Sequence, residues 1–162
     1  HYYRGEKWGG RIPLSAILAY CLPHHILPTE AREAMWPVWD VTDQFWTSAE
    51  FIPYWSDEPA VEIDTPNVLG SVYLNPKQRT AWLVVANWNT EPRTVKATLN
   101  PDRLGMKAER LTVRRVLQHP VLQPEDPKDG DTMTNEAVRV AEGSILLELG
   151  SRNLELLRLE EK

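Results

Sequence analysis

The sequence lacks the features of several common classes of protein. Among 162 residues there is one cysteine, Cys21, which excludes an internal disulfide bond and a zinc site built from several cysteines. No stretch approaches the ~20 consecutive apolar residues of a membrane-spanning helix. Lys and Arg number 18 against 23 Asp and Glu, no basic run exceeds two residues, and the formal net charge is −5. These features argue against nucleic acid or an anionic membrane as the main partner.

Motifs of several enzyme and metal-binding families are also missing. There is no glycine-rich phosphate loop, no Gly-x-Ser-x-Gly elbow and no His-Glu-x-x-His motif. The acidic run 126–131 departs from the EF-hand pattern, because its acidic residues do not alternate before Gly130. His24 and His25 are adjacent, and no Cys, Asp or Glu stands near them at ligand spacing. We therefore predict neither a metal site nor a cofactor.

From residue 59 onward the pattern is typical of a β-protein. In 93–99, Val95, Ala97 and Leu99 alternate with polar residues, as in a half-buried strand. The run 80–88 is apolar on both faces until Asn87, which predicts a central strand. Eight strands are predicted, at 60–64, 69–75, 80–88, 93–99, 109–117, 136–140, 144–149 and 153–160. Seven or eight short antiparallel strands in about 100 residues predict a mainly β fold, an antiparallel β-sandwich.

Smaller features belong to the connections and irregularities of this predicted sandwich. Residues 100–105 predict one helical turn, with Asn100 as its cap and Gly105 at its end. The Pro- and Asp-rich stretch 119–135 predicts a long surface loop. The alternation slips at 114–115 and at 156–157, which predicts bulges or strand ends there.

The first 58 residues have a different composition, since they hold five of the seven tryptophans. Leu14–Cys21 is apolar and fits either a strand or a short helix, whereas 29–35 and 37–46 predict helices. So short a segment rarely has a sufficient core of its own, so it should pack on the sandwich or on polypeptide outside this chain. We divide the chain into an aromatic-rich, partly helical segment, 1–58, and a β-sandwich domain, 59–162. Because the chain begins without methionine, we expect a piece of a longer protein.

Residues 82–95, WLVVANWNTEPRTV, resemble the strand–turn–strand of the C-terminal β-sandwich domains of glycoside hydrolases. An apolar strand ends in Asn, a short polar turn follows, and the next strand alternates. Residues 104–106, 144–149 and 154–159 are similar to later parts of such domains, and the likeness covers about 68–160.

The resemblance implies that residues 1–58 are the end of a (β/α)-barrel catalytic domain. Residues 17–21 would be a late barrel strand, and 22–28 would lie in a loop at its carboxyl end, where barrel enzymes build their active sites. The chain would then be an accessory C-terminal portion that packs on an upstream catalytic domain acting on oligo- or polysaccharide. By the same analogy we expect a secreted or periplasmic protein, and no catalysis by this chain alone.

Aromatic and histidine side chains are the candidate ligand-binding residues. A flat ring stacks on the apolar face of a pyranose, while a Tyr hydroxyl or an indole N–H binds its rim. The candidates are Trp8, His24, His25, Tyr54 and Trp55, with Phe51 as a further platform. Four other tryptophans are predicted to be core residues: Trp39, Trp46, Trp82 and Trp88.

Glycoside hydrolysis usually needs two carboxyl groups on either side of the scissile bond. The acidic residues of the aromatic-rich part are Asp40, Asp43, Glu50, Asp57 and Glu58. Their spacing nominates no pair, so the catalytic residues stay unknown. Two other functions are consistent with the sequence: a stand-alone carbohydrate-binding sandwich, and a protein-interaction domain whose exposed aromatic residues form the interface.

Overall fold

The computed structural model describes residues 14–26, 49–118 and 132–162. In these ranges the chain opens with helix α1 (Leu14–Cys21), which continues into a 3₁₀ turn (Leu22–His24). A one-turn helix, α2 (Pro101–Leu104), and a second 3₁₀ turn (Ala108–Arg110) separate the fifth strand from the sixth. The strands are β1 (Glu50–Ile52), β2 (Val61–Ile63), β3 (Val68–Asn75), β4 (Thr80–Asn87), β5 (Arg93–Leu99), β6 (Leu111–Gln118), β7 (Thr132–Val138), β8 (Ser144–Leu149) and β9 (Leu154–Glu161). No helix in the described ranges is long and apolar enough to cross a membrane.

The strands form two antiparallel sheets. The larger sheet has the order β1-β3-β4-β9-β6-β7, and the smaller has the order β2-β5-β8. Apolar side chains from both sheets meet in one core, for example Leu83 of β4, Val95 of β5 and Leu147 of β8. The predicted mainly β fold, an antiparallel sandwich preceded by a partly helical segment, is confirmed.

All eight predicted strands are present, most with boundaries shifted by one or two residues. The largest shift is at β7, which begins at Thr132, so residues 132–135 belong to a strand and were wrongly assigned to the long loop. Their sequence has a single apolar residue, Met133, and so displays no period. The backbone nevertheless pairs with the end of β6, where Met133 lies opposite Leu117. β1 was not predicted because three residues are too few to display a period. The rest of that loop, 119–131, including the acidic run 126–131, lies outside the described residues.

β4 is the central strand that its sequence predicted. It pairs with β3 on one side and β9 on the other. Its inner face contributes Leu83 and Val85 to the core between the sheets. Its outer face contributes Val84 and Ala86 to a second apolar cluster, which also contains Leu18 of α1. Because both faces are covered, β4 shows no apolar–polar alternation.

The predicted irregularity at 114–115 is a bulge in β6, and the extra residue is Val116. Arg115 lies opposite Leu157 of β9, while Leu117 lies opposite Leu156, so Val116 has no partner of its own. The irregularity predicted at 156–157 lies opposite this bulge, but its extra residue is in β6, and β9 keeps an unbroken register with β4. Both leucines are buried because one faces the core between the sheets and the other faces the outer cluster.

Residues 17–21 lie in helix α1, so the barrel strand that the resemblance implied for them is wrong. Leu18, Ala19 and Leu22 are fully buried against the outer face of the larger sheet, at a spacing that suits one side of a helix. Tyr20, between them, is exposed. A helix satisfies its own backbone, so it can cover a sheet whose strands are already paired.

The predicted turn at 100–105 is confirmed. Asn100 Oδ1 accepts a hydrogen bond of 3.1 Å from the backbone N–H of Arg103, as an N-cap residue does. Gly105 ends the turn with a left-handed φ of 63°.

The carboxylate of Asp64 links the end of β2 to β5 and makes stability depend on pH. Hydrogen bonds from the Thr65 hydroxyl (2.8 Å) and then from the Lys96 backbone N–H (3.1 Å) hold its pKa below the ordinary 3.8. The stabilisation is therefore present above the ordinary pKa and is lost as the pH falls through the lowered one. We expect Asp64→Asn to lose stability less steeply on acidification, as urea unfolding at a series of pH values would measure. Equal slopes for both proteins would contradict this role.

Candidate functional site

Eight rings from the described residues gather where α1 and the first 3₁₀ turn cover the outer face of the larger sheet. Neighbouring ring centroids lie 4.8 to 6.1 Å apart. We call this group the aromatic cluster; its members are Tyr20, His24, His25, Phe51, Tyr54, Trp55, Tyr73 and Trp88. It contains four of the five predicted ligand-binding residues, and the fifth, Trp8, lies outside the described residues.

Two buried side chains of β3 attach the 3₁₀ turn to the sheet. Ser71 Oγ donates a hydrogen bond of 2.8 Å to the carbonyl of Pro23, and Tyr73 Oη donates one of 2.7 Å to the carbonyl of Leu22. A carbonyl oxygen has two lone pairs, so that of Leu22 also accepts from the backbone N–H of His25 within the turn, at 3.2 Å. Ser71 Oγ also accepts from the backbone N–H of Tyr54 at 3.1 Å. Burial raises the pKa of Tyr73, so its hydroxyl stays protonated and remains a donor.

Trp88, just after β4, makes a third attachment. Its indole N–H donates a hydrogen bond of 2.9 Å to the carbonyl of Ala19 in α1. Its ring also lies 5.0 Å from that of Tyr20 and 5.3 Å from that of His24. Trp88 is half-buried and packs against the outer cluster, whereas Trp82 is fully part of it. Trp39 and Trp46 lie outside the described residues.

His24 is at the centre of the aromatic cluster. Its Nδ1 donates to the carbonyl of Tyr20 at 2.9 Å, since a carbonyl only accepts. In the neutral imidazole, Nε2 then accepts from the Tyr54 hydroxyl, 3.3 Å away. The imidazole also stacks on the Trp55 indole, with 5.9 Å between centroids and 25° between planes. His24 therefore sets the positions of both Tyr54 and Trp55.

His25 ends the 3₁₀ turn in the left-handed conformation, with a φ of 58°. Histidine is among the residues that adopt this conformation more often than most. Its backbone N–H reaches the carbonyl of Leu22 at 3.2 Å, and its ring stacks on Phe51 at 5.0 Å and 26°. The turn thus directs two consecutive histidines to different rings.

Trp55 is an exposed ring of the cluster, with 55% of its surface accessible. Tyr54 meets it edge-on at 4.8 Å and 88°, and Phe51 approaches at 6.1 Å and 66°. Tyr20 and Ile26 are exposed as well, at 44% and 54%. The exposed surface of the cluster is therefore largely apolar, and neighbouring rings hold its aromatic side chains in place.

A pocket of about 360 Å³ adjoins the cluster at Tyr54. It lies beside β2 and the first half of β3. Its other lining residues are Pro59, Val61, Glu62, Ile63, Val68 and Gly70.

Three acidic residues lie near the cluster in the described part of the chain, and all three are exposed. Glu50 bonds to Arg103 at 2.9 Å, and Asp57 and Glu58 are exposed. Asp40 and Asp43 lie outside the described residues. In the described part of the chain, no group of three or more His, Cys, Asp or Glu is arranged to hold a metal ion. Cys21 is half-buried, and burial raises the pKa of its thiol.

Sequence reasoning nominated His24, His25, Tyr54 and Trp55 by residue type, and the structure brings them together. Their binding role stays a prediction. Sequence reasoning missed Tyr20 and Tyr73, because both lie in apolar runs and no motif marks them as binding residues. Only the docking of residues 14–26 on the larger sheet brings the ring of Tyr73 to that of His25 and the ring of Trp88 to that of Tyr20.

Comparison with known proteins gives one family match and several structural likenesses. The family described as glycoside hydrolase 123, C-terminal domain, matches residues 32–147. No protein of curated function matches the sequence.

Two xylanases are among the similar solved structures. For the glycoside hydrolase family 30 subfamily 8 xylanase Xyn30A of Clostridium acetobutylicum, the alignment covers 59% of this chain and 21% of that one, with 14% identity and a TM-score of 0.39. For the GH30 endoxylanase of Clostridium papyrosolvens C71, the alignment covers 65% of this chain and 24% of that one, with 14% identity and a TM-score of 0.40. The matched part spans less than a quarter of either xylanase.

Proposed function

Because this chain belongs to the glycoside hydrolase 123 C-terminal domain family, we propose that its sandwich is an accessory region that holds and stabilises a catalytic domain. The whole protein would hydrolyse glycosidic bonds in an oligo- or polysaccharide. The carboxylates for that reaction would lie in the catalytic domain, and the sandwich would contribute stability rather than chemistry.

The attachment of residues 14–26 to the larger sheet is the observation that carries this proposal. Ser71, Tyr73 and Trp88 bind three backbone carbonyls of this segment. The segment therefore sits on the sandwich as a fixed layer. Its exposed side, with Tyr20 and Ile26, supplies apolar surface for further protein to cover. A catalytic domain packed there would be stabilised by the sandwich beneath.

We keep the division near residue 58 as part of the proposal. Residues 1–58 would connect the catalytic domain to the sandwich. β1 pairs with β3, with Phe51 opposite Tyr73, so the last part of this connection is also a strand of the larger sheet. Such a shared strand limits movement between the two parts.

The first test is a comparison of Tyr73→Phe with the parent protein. The change removes the donor to the Leu22 carbonyl inside a buried contact, so we expect the free energy of unfolding to fall by about 1–3 kcal/mol. In the complete gene product, the temperature at which glycosidase turnover is lost should fall in parallel. Tyr20→Phe is the matched control, because it removes a hydroxyl from an exposed ring, and it should leave both quantities nearly unchanged.

Two results would contradict the proposal. Glycosidase turnover by the purified 162-residue chain alone would show that the chain is itself catalytic. If Tyr73→Phe and Tyr20→Phe lowered the temperature at which turnover is lost by the same amount, the attachment of residues 14–26 would not support the catalytic domain.

A further inference from the structure

We infer that Trp55 is the stacking platform of a carbohydrate-binding site on this accessory region, and that the site takes neutral pyranose units of an oligosaccharide. The inference rests on the proposed function for its ligand class, since the whole protein would act on carbohydrate. It adds a binding role to a region proposed above only as a support.

The indole of Trp55 is held in one orientation while much of it stays accessible. His24 covers one face at 25° between planes, and Tyr54 and Phe51 approach its edges. With 55% of its surface accessible, much of the indole stays open to a ligand beside these three neighbours. Because the indole is already held in place, little conformational entropy is lost when a ligand stacks on it. The C–H face of a pyranose ring is such a ligand.

Polar groups suited to sugar hydroxyls surround this platform. The Tyr54 hydroxyl and His24 Nε2 lie 3.3 Å apart, and both of these rings contact the Trp55 indole. Asp57 and Glu58 follow Trp55 in a tight turn, in which the Glu58 backbone N–H donates to Ser56 Oγ at 3.3 Å. Their exposed carboxylates accept hydrogen bonds from hydroxyl groups and repel anionic groups. The rim therefore favours neutral sugars over uronic or sulfated ones.

The adjoining pocket extends the site beyond one sugar unit. Tyr54 borders both the platform and the pocket, and its ring centroid is 4.8 Å from that of Trp55. The pocket's volume of about 360 Å³ falls within the range of small-ligand pockets. Its walls are largely aliphatic, from Val61, Ile63 and Val68, with Glu62 as a carboxylate. A sugar on Trp55 could thus place its neighbour in the pocket, so the geometry favours an oligosaccharide over a free monosaccharide.

The experiment is a calorimetric titration of the purified 162-residue chain with short oligosaccharides. The panel contains neutral chains of glucose, xylose, galactose and N-acetylglucosamine, together with oligogalacturonate as the anionic probe. We expect at least one neutral oligosaccharide to bind at millimolar concentration or below, and oligogalacturonate to bind more weakly. Trp55→Ala should weaken binding at least tenfold, and Trp55→Tyr should restore part of it.

Leu146→Ala is the matched control, because Leu146 is a large apolar residue of β8 with 68% exposure. It should leave glycan binding unchanged. Absence of binding by every neutral oligosaccharide, or equal binding by the Trp55→Ala variant with unchanged thermal unfolding, would overturn the inference. Trp55→Ala that keeps glycan binding but destabilises turnover in the complete gene product would also overturn it. That result would be consistent with the accessory function and would place Trp55 in the interface with the catalytic domain.

Discussion

Replacement of Asn87 by alanine should lower the free energy of unfolding by about 3–5 kcal/mol. Asn87 ends β4 and is fully buried. Its amide nitrogen donates to the carbonyls of Glu91 (2.9 Å) and Gly150 (2.8 Å), and its Oδ1 accepts from the backbone N–H of Asn89 (2.9 Å). One side chain thus joins the turn after β4 to the turn after β8. Alanine would leave three backbone groups without these partners.

Asn75→Ala is the matched control at the opposite end of the same hairpin. Asn75 Oδ1 accepts one hydrogen bond of 3.3 Å, from the exposed backbone N–H of Gln78. Its loss should cost about 0.5–1 kcal/mol, because water can replace the missing acceptor. Urea unfolding followed by circular dichroism measures both variants. Equal losses in the two variants would contradict the role assigned to the Asn87 amide.

Gly70→Val should destabilise the sandwich by about 3 kcal/mol or more, and Gly70→Ala by about 1–3 kcal/mol, through overpacking. A Cβ atom at this β3 position would lie 2.8 Å from Val61 Cγ1 and 3.0 Å from Ile63 Cγ1. These side chains belong to β2 of the opposite sheet, and branching at Cβ makes them stiff. Glycine is therefore required by the close approach of the two sheets. Urea unfolding of both variants measures the effect.

A double-mutant cycle separates this contact from a loss of local strand geometry. Val61→Ala removes the methyl group nearest the added Cβ, so the pair Gly70→Ala and Val61→Ala should be more stable than the sum of the single effects predicts. Additive effects would show that the two positions do not collide. That additive result would contradict the close contact between β2 and β3.

Several elements could be predicted because their signals are local. β5 and β8 alternate residue by residue, since each has one face toward the core and one toward solvent. The turn at α2 carries its own cap, Asn100, and its own glycine, Gly105. Such features depend on residues a few positions apart, so they can be read without knowing what the element packs against.

The candidate site could be predicted only in part. Residue type nominates His24, Tyr54 and Trp55, because rings and polar rims suit sugars. The acceptors that hold this region in place are carbonyls, which carry no sequence signature. Ser71 and Tyr73 reach them from about 50 residues away in sequence, at separations of 48 and 51. Their hydroxyl groups indicate that each needs a partner, but nothing local indicates which group that partner is.

The sequence by itself determined the class of fold, the positions of the longer strands other than β7 and the central place of β4, because periodicity and turn chemistry act over a few residues. The tertiary structure alone decided that Leu14–Cys21 is a helix and that Val116 rather than its neighbours is the bulged residue. It also decided that eight rings of the described residues share one cluster. An apolar run of eight residues suits a strand or a helix equally well until its partner surface is known. The outer face of the larger sheet supplied that surface: its strands were already paired, and only a segment with its own backbone hydrogen bonds satisfied could cover them.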